Sequence, residues 1–390
     1  MSFSSYSPRS EVPLAPEIGS FLEHYAELGI AQTVRIISNA TRIARPEFLV
    51  SSPADRNEAR FAHTMEDENF RSYYVDQLRL FEMPDVTVLG SDGILLYRGA
   101  VICDSMRHIM YWHPDSVTES FESTAKLRLK AQLLVQRVHL PGRFMVGFSG
   151  SWRNYAHWLQ ETLPKLVVFA RYFASHPDVK LVLPAFAPGS FQQKTLELLD
   201  IPAEAIVIIQ SGEALHFERL LVLGDTDLWS VPPFVYEAAQ FLADRAAAAL
   251  GGPPARYRRL FIHRESGLRR MTNFTDLRQI ILRHGYEIVV PDGMSMADQI
   301  MAMLSATHVA AEHGAGLANV LFCKPGGRVL ELFNPACVQP AFWSVAGAAG
   351  AAFGYLVGSH VPTPERPVLD WNSSYSIAPG ALDAALSAFD

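Results

Sequence analysis

With 390 residues, 49% of them apolar, the chain is long enough for two globular domains with a sizeable core. Its net charge of −7 leaves no basic footprint for nucleic acid. The three cysteines, Cys103, Cys323 and Cys337, are too scattered for a disulfide frame or a closed zinc site and read as buried thiols in a reducing compartment.

Residues 1–20 are rich in Ser and Pro, lack the apolar core of a signal peptide, and are expected to have no fixed structure. The whole N-terminal segment, residues 1–84, carries no readable organisation. From Asp85 the run VTVLGSDGILLYRGAVICD predicts two or three short strands, with SDG as a turn. Beyond residue 126, helical runs around 153–174 and 190–199 alternate with the apolar runs KLVLP, AIVII and RLLVLG, and a long helix follows over Pro233–Leu250. Residues 85–250 are therefore expected to form a first α/β domain. It ends at the linker GGPPAR, where glycine stops the helix and two prolines cannot continue it.

The pattern past the linker is cleaner. RRLFIH, YEIVV, THVAA and RVLELF read as strands, separated by the helices NFTDLRQIILRH and MADQIMAMLSA and by LANVLF. Ser295 and Asp298 form a capping-box variant at the second of these helices. Residues 338–350 predict one more helix. Alternation at this spacing means βαβ units and a parallel sheet, so 256–350 is expected to be a second α/β domain and 351–390 a C-terminal tail. The uncharged stretch between Glu331 and His360 is broken by Pro335, Pro340, Gly347, Gly350, Gly354 and Gly358, which makes it a weak membrane span and leaves a soluble, cytoplasmic chain as the expectation.

Four clusters can carry chemistry. The loop His313-Gly314-Ala315-Gly316 joins a buried strand to a helix, where glycine lets the backbone approach a phosphate and helix N–H groups can bind it. Asn319 stands where the third glycine of a dinucleotide fingerprint belongs, so that fingerprint is not met. Arg264, Arg269, Arg270 and Asn273 follow the first strand of the second domain, near the same sheet edge, and guanidinium groups match phosphate oxygens. Asn154, His157, Trp158 and Glu161 fall on one face of a helix, where an imidazole and a carboxylate one turn apart can act as an acid–base pair. Glu331 ends an apolar strand and could hold ribose hydroxyls through its two oxygens. A competing metal site is Asp225-Thr226-Asp227, whose two carboxylates mimic a D-x-D motif.

These segments together resemble glycosyltransferase family 61: NYAHWLQETLP at 154–164, RESGLRRMTN at 264–273, HGAGLANVLF at 313–322 and VLEL at 329–332. The resemblance implies a GT-B-like fold, two Rossmann-like domains facing across a cleft, with inversion at the sugar carbon, no required metal and no cofactor beyond a nucleotide-sugar donor. It places the donor diphosphate on Arg264, Arg269 and the backbone of Gly314, Ala315 and Gly316, beside His313 and assisted by Asn273. Glu331 would hold the ribose, and the backbone from Val290 to Asp292 the nucleobase. His157 would take the acceptor proton, oriented by Glu161, or the two would exchange roles, with Asn154 and Trp158 on the acceptor side. The partners implied are a nucleotide sugar and a glycan or glycolipid acceptor in bacterial surface-polysaccharide synthesis; a lipid-linked acceptor would bring the protein to a membrane surface. A nucleotide-dependent oxidoreductase using the HGAG loop and a non-catalytic sugar-binding scaffold are the alternatives.

Overall fold

A computed structural model of the chain describes residues 22–51, 65, 71–98, 100–102, 105, 137–173, 176–224, 226, 228–265 and 267–390. Residues 1–20, Cys103, Asp225 and Asp227, on which expectations were placed, lie outside them. Two compact units emerge: Met1–Ala40 with Asp76–Thr226, and Thr41–Val75 with Asp227–Asp390.

The first unit begins with α1 (Leu22–Glu27) and β1 (Gln32–Ser38). The chain then gives the second unit an antiparallel pair, β2 (Thr41–Ala44) and β3 (Ser72–Val75). It returns for β4 (Leu78–Leu89), β5 (Ile94–Tyr97), β6 (Ala100–Val101), β7 (Arg137–Val146), β8 (Val179–Pro184), β9 (Ile206–Ile209) and β10 (Ala214–Leu223). Their sheet has the order β6-β5-β4-β10-β7-β8-β9, with β1 added to β4. Strands β10, β7, β8 and β9 are parallel, whereas β4, β5 and β6 form an antiparallel flank. The antiparallel part follows from the SDG turn: a 3₁₀ turn over Gly90–Asp92 ends on Gly93 at φ +68°, and a tight hairpin can only reverse the strand. The parallel part has helical crossovers. Helix α2 covers 155–173, as an α segment Tyr155–His157, a π turn Trp158–Thr162 and an α segment Leu163–Phe173, and α3 covers Phe191–Leu198. Strand β7 is not legible in the sequence because Pro141 and Gly142 interrupt it. Gly142 sits at φ +106° with its N–H on Glu218, and the β7–β10 register shifts there.

In the second unit α4 (Pro233–Ala249) precedes β11 (Arg258–Ile262), α5 (Phe274–Arg283), β12 (Tyr286–Val289), α6 (Met296–Ser305) and β13 (Ala306–Glu312). A 3₁₀ run over Ala315–Phe322, β14 (Arg328–Phe333), α7 (Ala341–Ala348), β15 (Ala352–Val357), the short pair β16 (Ser359–Val361) and β17 (Ser374–Ser376), and α8 (Pro379–Ala388) follow. The main sheet is entirely parallel, in the order β12-β11-β13-β14-β15. This is a doubly wound order with its switch point between β11 and β13, where ligands bind outside the carboxyl ends of the strands. On one face Phe261, Ala310, Leu330 and Leu356 pack with Leu277, Ile281, Leu382 and Phe389 of α5 and the C-terminal α8 segment. The remaining helices and the 3₁₀ run pack against one another elsewhere in the unit.

The mixed and parallel sheets, with their helices, meet the α/β expectation. The units divide at Thr226/Asp227, upstream of the Gly-Pro linker, because α4 belongs to the second unit: Tyr236 Oη donates to Cys323 O (3.0 Å) and Gln240 Nε2 to Leu321 O (2.8 Å). Residues 351–390, read as a tail, supply the edge strand β15 and the helix α8. The uncharged stretch past Glu331 is the interior of this unit, with Trp343, Val345, Ala346 and Phe353 fully buried. No helix among the described residues is long and apolar enough to cross a membrane.

Candidate functional site

In the second unit the loops after β11 and β13 meet at the switch point. Arg264 Nη1 donates to the carbonyl of His313 (3.0 Å), and the guanidinium lies directly over Gly314. A Cβ at Gly314 would fall 2.8 Å from Arg264 Nη1, so only glycine leaves room for the arginine there. Gly314 precedes the 3₁₀ run that replaces the expected α-helix, with Ala315 and Gly316 in its first turn. Asn319, in place of a third glycine, is buried and donates to Gln299 on α6 (3.1 Å), which secures the run to its neighbour.

Arg269 is half-buried at φ +62° and donates to Cys337 Sγ (3.2 Å), while its Nε has no partner among the described residues. Burial, and then the Arg269 charge, lower the Arg264 guanidinium below its ordinary value. It stays charged at any relevant pH. Two half-buried cations that repel one another, beside a glycine backbone, are chemically suited to an anion. Arg270, by contrast, is exposed.

His313 and Glu331 form a buried pair, with Nδ1 and Oε1 2.5 Å apart. Burial, then Arg269 and Arg264, hold the imidazole well below its ordinary value. Burial raises the Glu331 carboxyl well above its own, against the pull of Arg269. Gln339 accepts from the Trp229 indole (2.8 Å) through Oε1, which turns its Nε2 toward His313 Nε2 (3.4 Å). A neutral His313 then carries its proton on Nδ1, toward Glu331. Glu331 is fully buried, one oxygen on His313 and the other without a partner among the described residues. It is placed to orient His313 rather than to present both oxygens to a ribose. Asn273 is likewise committed: its amide donates to Ile377 O (2.8 Å) and accepts from Ile377 N (3.1 Å), tying α5 to the chain before α8.

A residue that the sequence does not single out lies beneath this loop. Glu312, at the end of β13, is buried and accepts from the backbone N–H of Arg264 (3.1 Å) and of Met271 (3.3 Å), while His263 Nδ1 lies 2.6 Å from its Oε1. The register that aligns Ile262 with Ala311 could have pointed to it, since it sets the residues following β11 beside the end of β13.

In the first unit His157 Nδ1 lies 2.8 Å from Glu161 Oε1, and Ser149 Oγ donates to Oε2 (2.8 Å). Burial pushes the Glu161 carboxyl up, but the His157 charge, the hydrogen bonds from His157 and Ser149, and the Lys165 charge together hold it below its ordinary value. Glu161 lies in the π turn and His157 immediately precedes it, and such a distortion often marks functional positions in helices. A cavity of about 30 Å³, room for a water or two, is lined by Ser149, Glu161 and Lys165. Asn154 is exposed and caps the helix, its side chain accepting from Ala156 N (2.9 Å). Trp158 is fully buried, with its indole N–H on Thr195 (3.0 Å). The expected polar stripe is thus split: His157 and Glu161 pair, Asn154 caps, and Trp158 is core. No group of three or more His, Cys, Asp or Glu among the described residues could hold a metal ion.

These features define an α/β protein with two arginines gathered at a sheet switch point and buried histidine–carboxylate pairs. Residues 155–330 match the family model for Glycosyltransferase 61, which supports the resemblance and suggests glycosyltransferase activity. No curated protein matches the chain.

Proposed function

We propose that the chain is an inverting glycosyltransferase of the GT-B type, its second unit binding a nucleotide-sugar donor and its first supplying the base for a glycan or glycolipid acceptor. The observation that carries this is the Arg264 guanidinium lying on Gly314 at the switch point, with Arg269 beside it. A diphosphate satisfies both cations and the N–H groups of the 3₁₀ run. As the acceptor oxygen bonds to the sugar carbon, the bond to the diphosphate breaks and its electrons stay on the leaving group. Fixed arginines stabilise that growing charge, a role that needs no metal ion. Glu331 contributes on the donor side through His313.

The acceptor proton goes to His157. Both Glu161 oxygens are engaged, by His157 and by Ser149, so Glu161 suits orientation of the ring and support of the imidazolium. The His157 nitrogen not held by Glu161 receives the proton. Asn154, exposed at the helix start, remains the acceptor-side candidate, whereas Trp158 supports the helix from within. By resemblance the setting is surface-polysaccharide synthesis at the cytoplasmic side of a bacterial membrane.

The test is a panel of nucleotide sugars incubated with the protein in EDTA, monitored for nucleoside diphosphate release. Release from one donor, accelerated by a glycan acceptor, is expected. Hydride transfer to NAD without any such release would put the oxidoreductase alternative in its place, and donor binding without turnover would favour the scaffold.

A further inference from the structure

The loop that carries the arginines is closed by one side chain. Arg264 and Met271 flank the segment containing Gly267 and Arg269, and Glu312 accepts from the backbone N–H at both ends, Arg264 on Oε1 and Met271 on Oε2. His263 lies 2.6 Å from Oε1, and its ring is clamped on Phe274 at 3.5 Å between centroids and 7° between planes. We propose that Glu312 is a positioning residue for the donor diphosphate, setting the shape of the arginine loop through these two amides. The proposal rests on the donor-site reading of the second unit.

The Glu312 side chain has no exposed surface. A buried carboxylate must find donors, and here two of the three are backbone amides of the loop itself. Within that loop Arg269 adopts the left-handed conformation, which a non-glycine residue keeps only where its surroundings enforce it. Its N–H donates to Asn372 O (3.2 Å), and the Arg270 carbonyl accepts from Tyr375 N (3.0 Å), so one side of the loop is fixed to the strand region near β17. Glu312 fixes the other side. Its charge also favours the Arg264 cation, drawing positive charge to the switch point without neutralising it by a direct side-chain pair.

The probe is inorganic pyrophosphate, which tests the diphosphate site without knowledge of the base or sugar. Calorimetric titration of the full-length wild type, E312Q, E312D, H263Q and R264A in EDTA gives the affinities, and thermal melting of each apo protein gives stability. E312Q turns an NH₂ group toward one set of donors, and loss of a charge-assisted bond should weaken pyrophosphate about tenfold or more. E312D keeps the charge and should recover part of that loss. A packing role would reverse the order, because Asp leaves the larger void. Should E312Q not fold, H263Q decides, since it removes the imidazole that holds the Glu312 carboxylate, along with its stack on Phe274, and leaves the carboxylate itself in place; unchanged affinity there counts against the proposal. Wild-type affinity in folded E312Q, with R264A weakened, overturns the role of Glu312 alone. A wild type that does not bind pyrophosphate overturns both that role and the donor site.

Discussion

In the proposed reaction His157 and Glu161 carry the chemistry of the first unit, and the Ser149 hydroxyl favours the histidine as base. With one carboxylate oxygen on Ser149 and the other on His157, Glu161 is held in place, which under the proposal leaves the histidine to move the proton. His157→Ala is expected to cost about 10²–10⁴ in transfer rate, the usual worth of a positioned base. Nucleoside diphosphate affinity, measured on the same folded variant, is expected to stay within about twofold, since no donor contact is removed. Glu161→Gln losing more rate than His157→Ala would make the carboxylate the base. The His313–Glu331 pair has a distinct signature in stability. The stabilising contribution of Glu331, whose folded pKa is raised, is complete below its ordinary 4.5 and lost as pH rises through the raised value. That of His313, whose folded pKa is lowered, is complete above its ordinary 6.5 and lost as pH falls through the lowered value. Where the two ranges overlap the slopes oppose, so the pair's contribution changes least there and declines toward higher and lower pH. Urea unfolding of wild type against the H313N/E331Q double variant reads this out. A difference still level at pH 8 would mean that Glu331 is ionised in the folded protein.

Elements and loops fix which of the expected residues meet. Gly314 is the clearest case, because the side chain it lacks is replaced by a guanidinium from another strand end. Gly314→Ala is therefore expected to displace Arg264 and weaken nucleoside diphosphate binding about tenfold, the worth of a charge-assisted contact, while the apo melting temperature changes little. Unchanged binding would show that the arginine contributes from another position. Much of the second unit was legible in the sequence. The four strands after the linker and the Ser295 cap stand where periodicity and turn chemistry put them. The arginine and HGAG loops could be assigned to one sheet edge because parallel βαβ units leave their ligand loops at a single end. Partnerships were not legible. The sequence shows that Glu331, Asn273 and Trp158 are polar or large residues near motifs, but not that they pair with His313, Ile377 and Thr195. Glu312 was hidden for the converse reason, since its partners are mostly backbone groups that no residue type advertises.

At the scale of the whole molecule, the second unit is assembled from two stretches far apart in the chain. Arg45 is buried, donates to Ser344 Oγ (2.9 Å) and Trp229 O (2.6 Å), and lies 4.6 Å from the Tyr73 ring centre. Leu49 N donates to Phe353 O (2.8 Å) and Tyr355 N to Val50 O (2.9 Å), which adds the segment to the edge of β15. Such long-range pairing leaves no trace in local periodicity, which is why residues 1–84 could not be assigned. Gly354→Ala tests it, because a Cβ there would lie 2.8 Å from Val50 O and 2.9 Å from Val50 N. Rigid backbone on both sides should make the change cost about 1–3 kcal/mol in urea unfolding. A neutral substitution would mean that the segment is only loosely held. The proposed function nevertheless turns on the second unit's switch point, and one titration addresses it directly: the nucleoside diphosphates, in EDTA, against wild type and Arg264→Ala. A donor site built from arginines binds one of them without metal and loses about 1.5–3 kcal/mol of affinity in the variant, with the fold intact. Binding that requires Mn²⁺ or Mg²⁺, or that survives Arg264→Ala unchanged, would contradict it and return attention to Asp225 and Asp227.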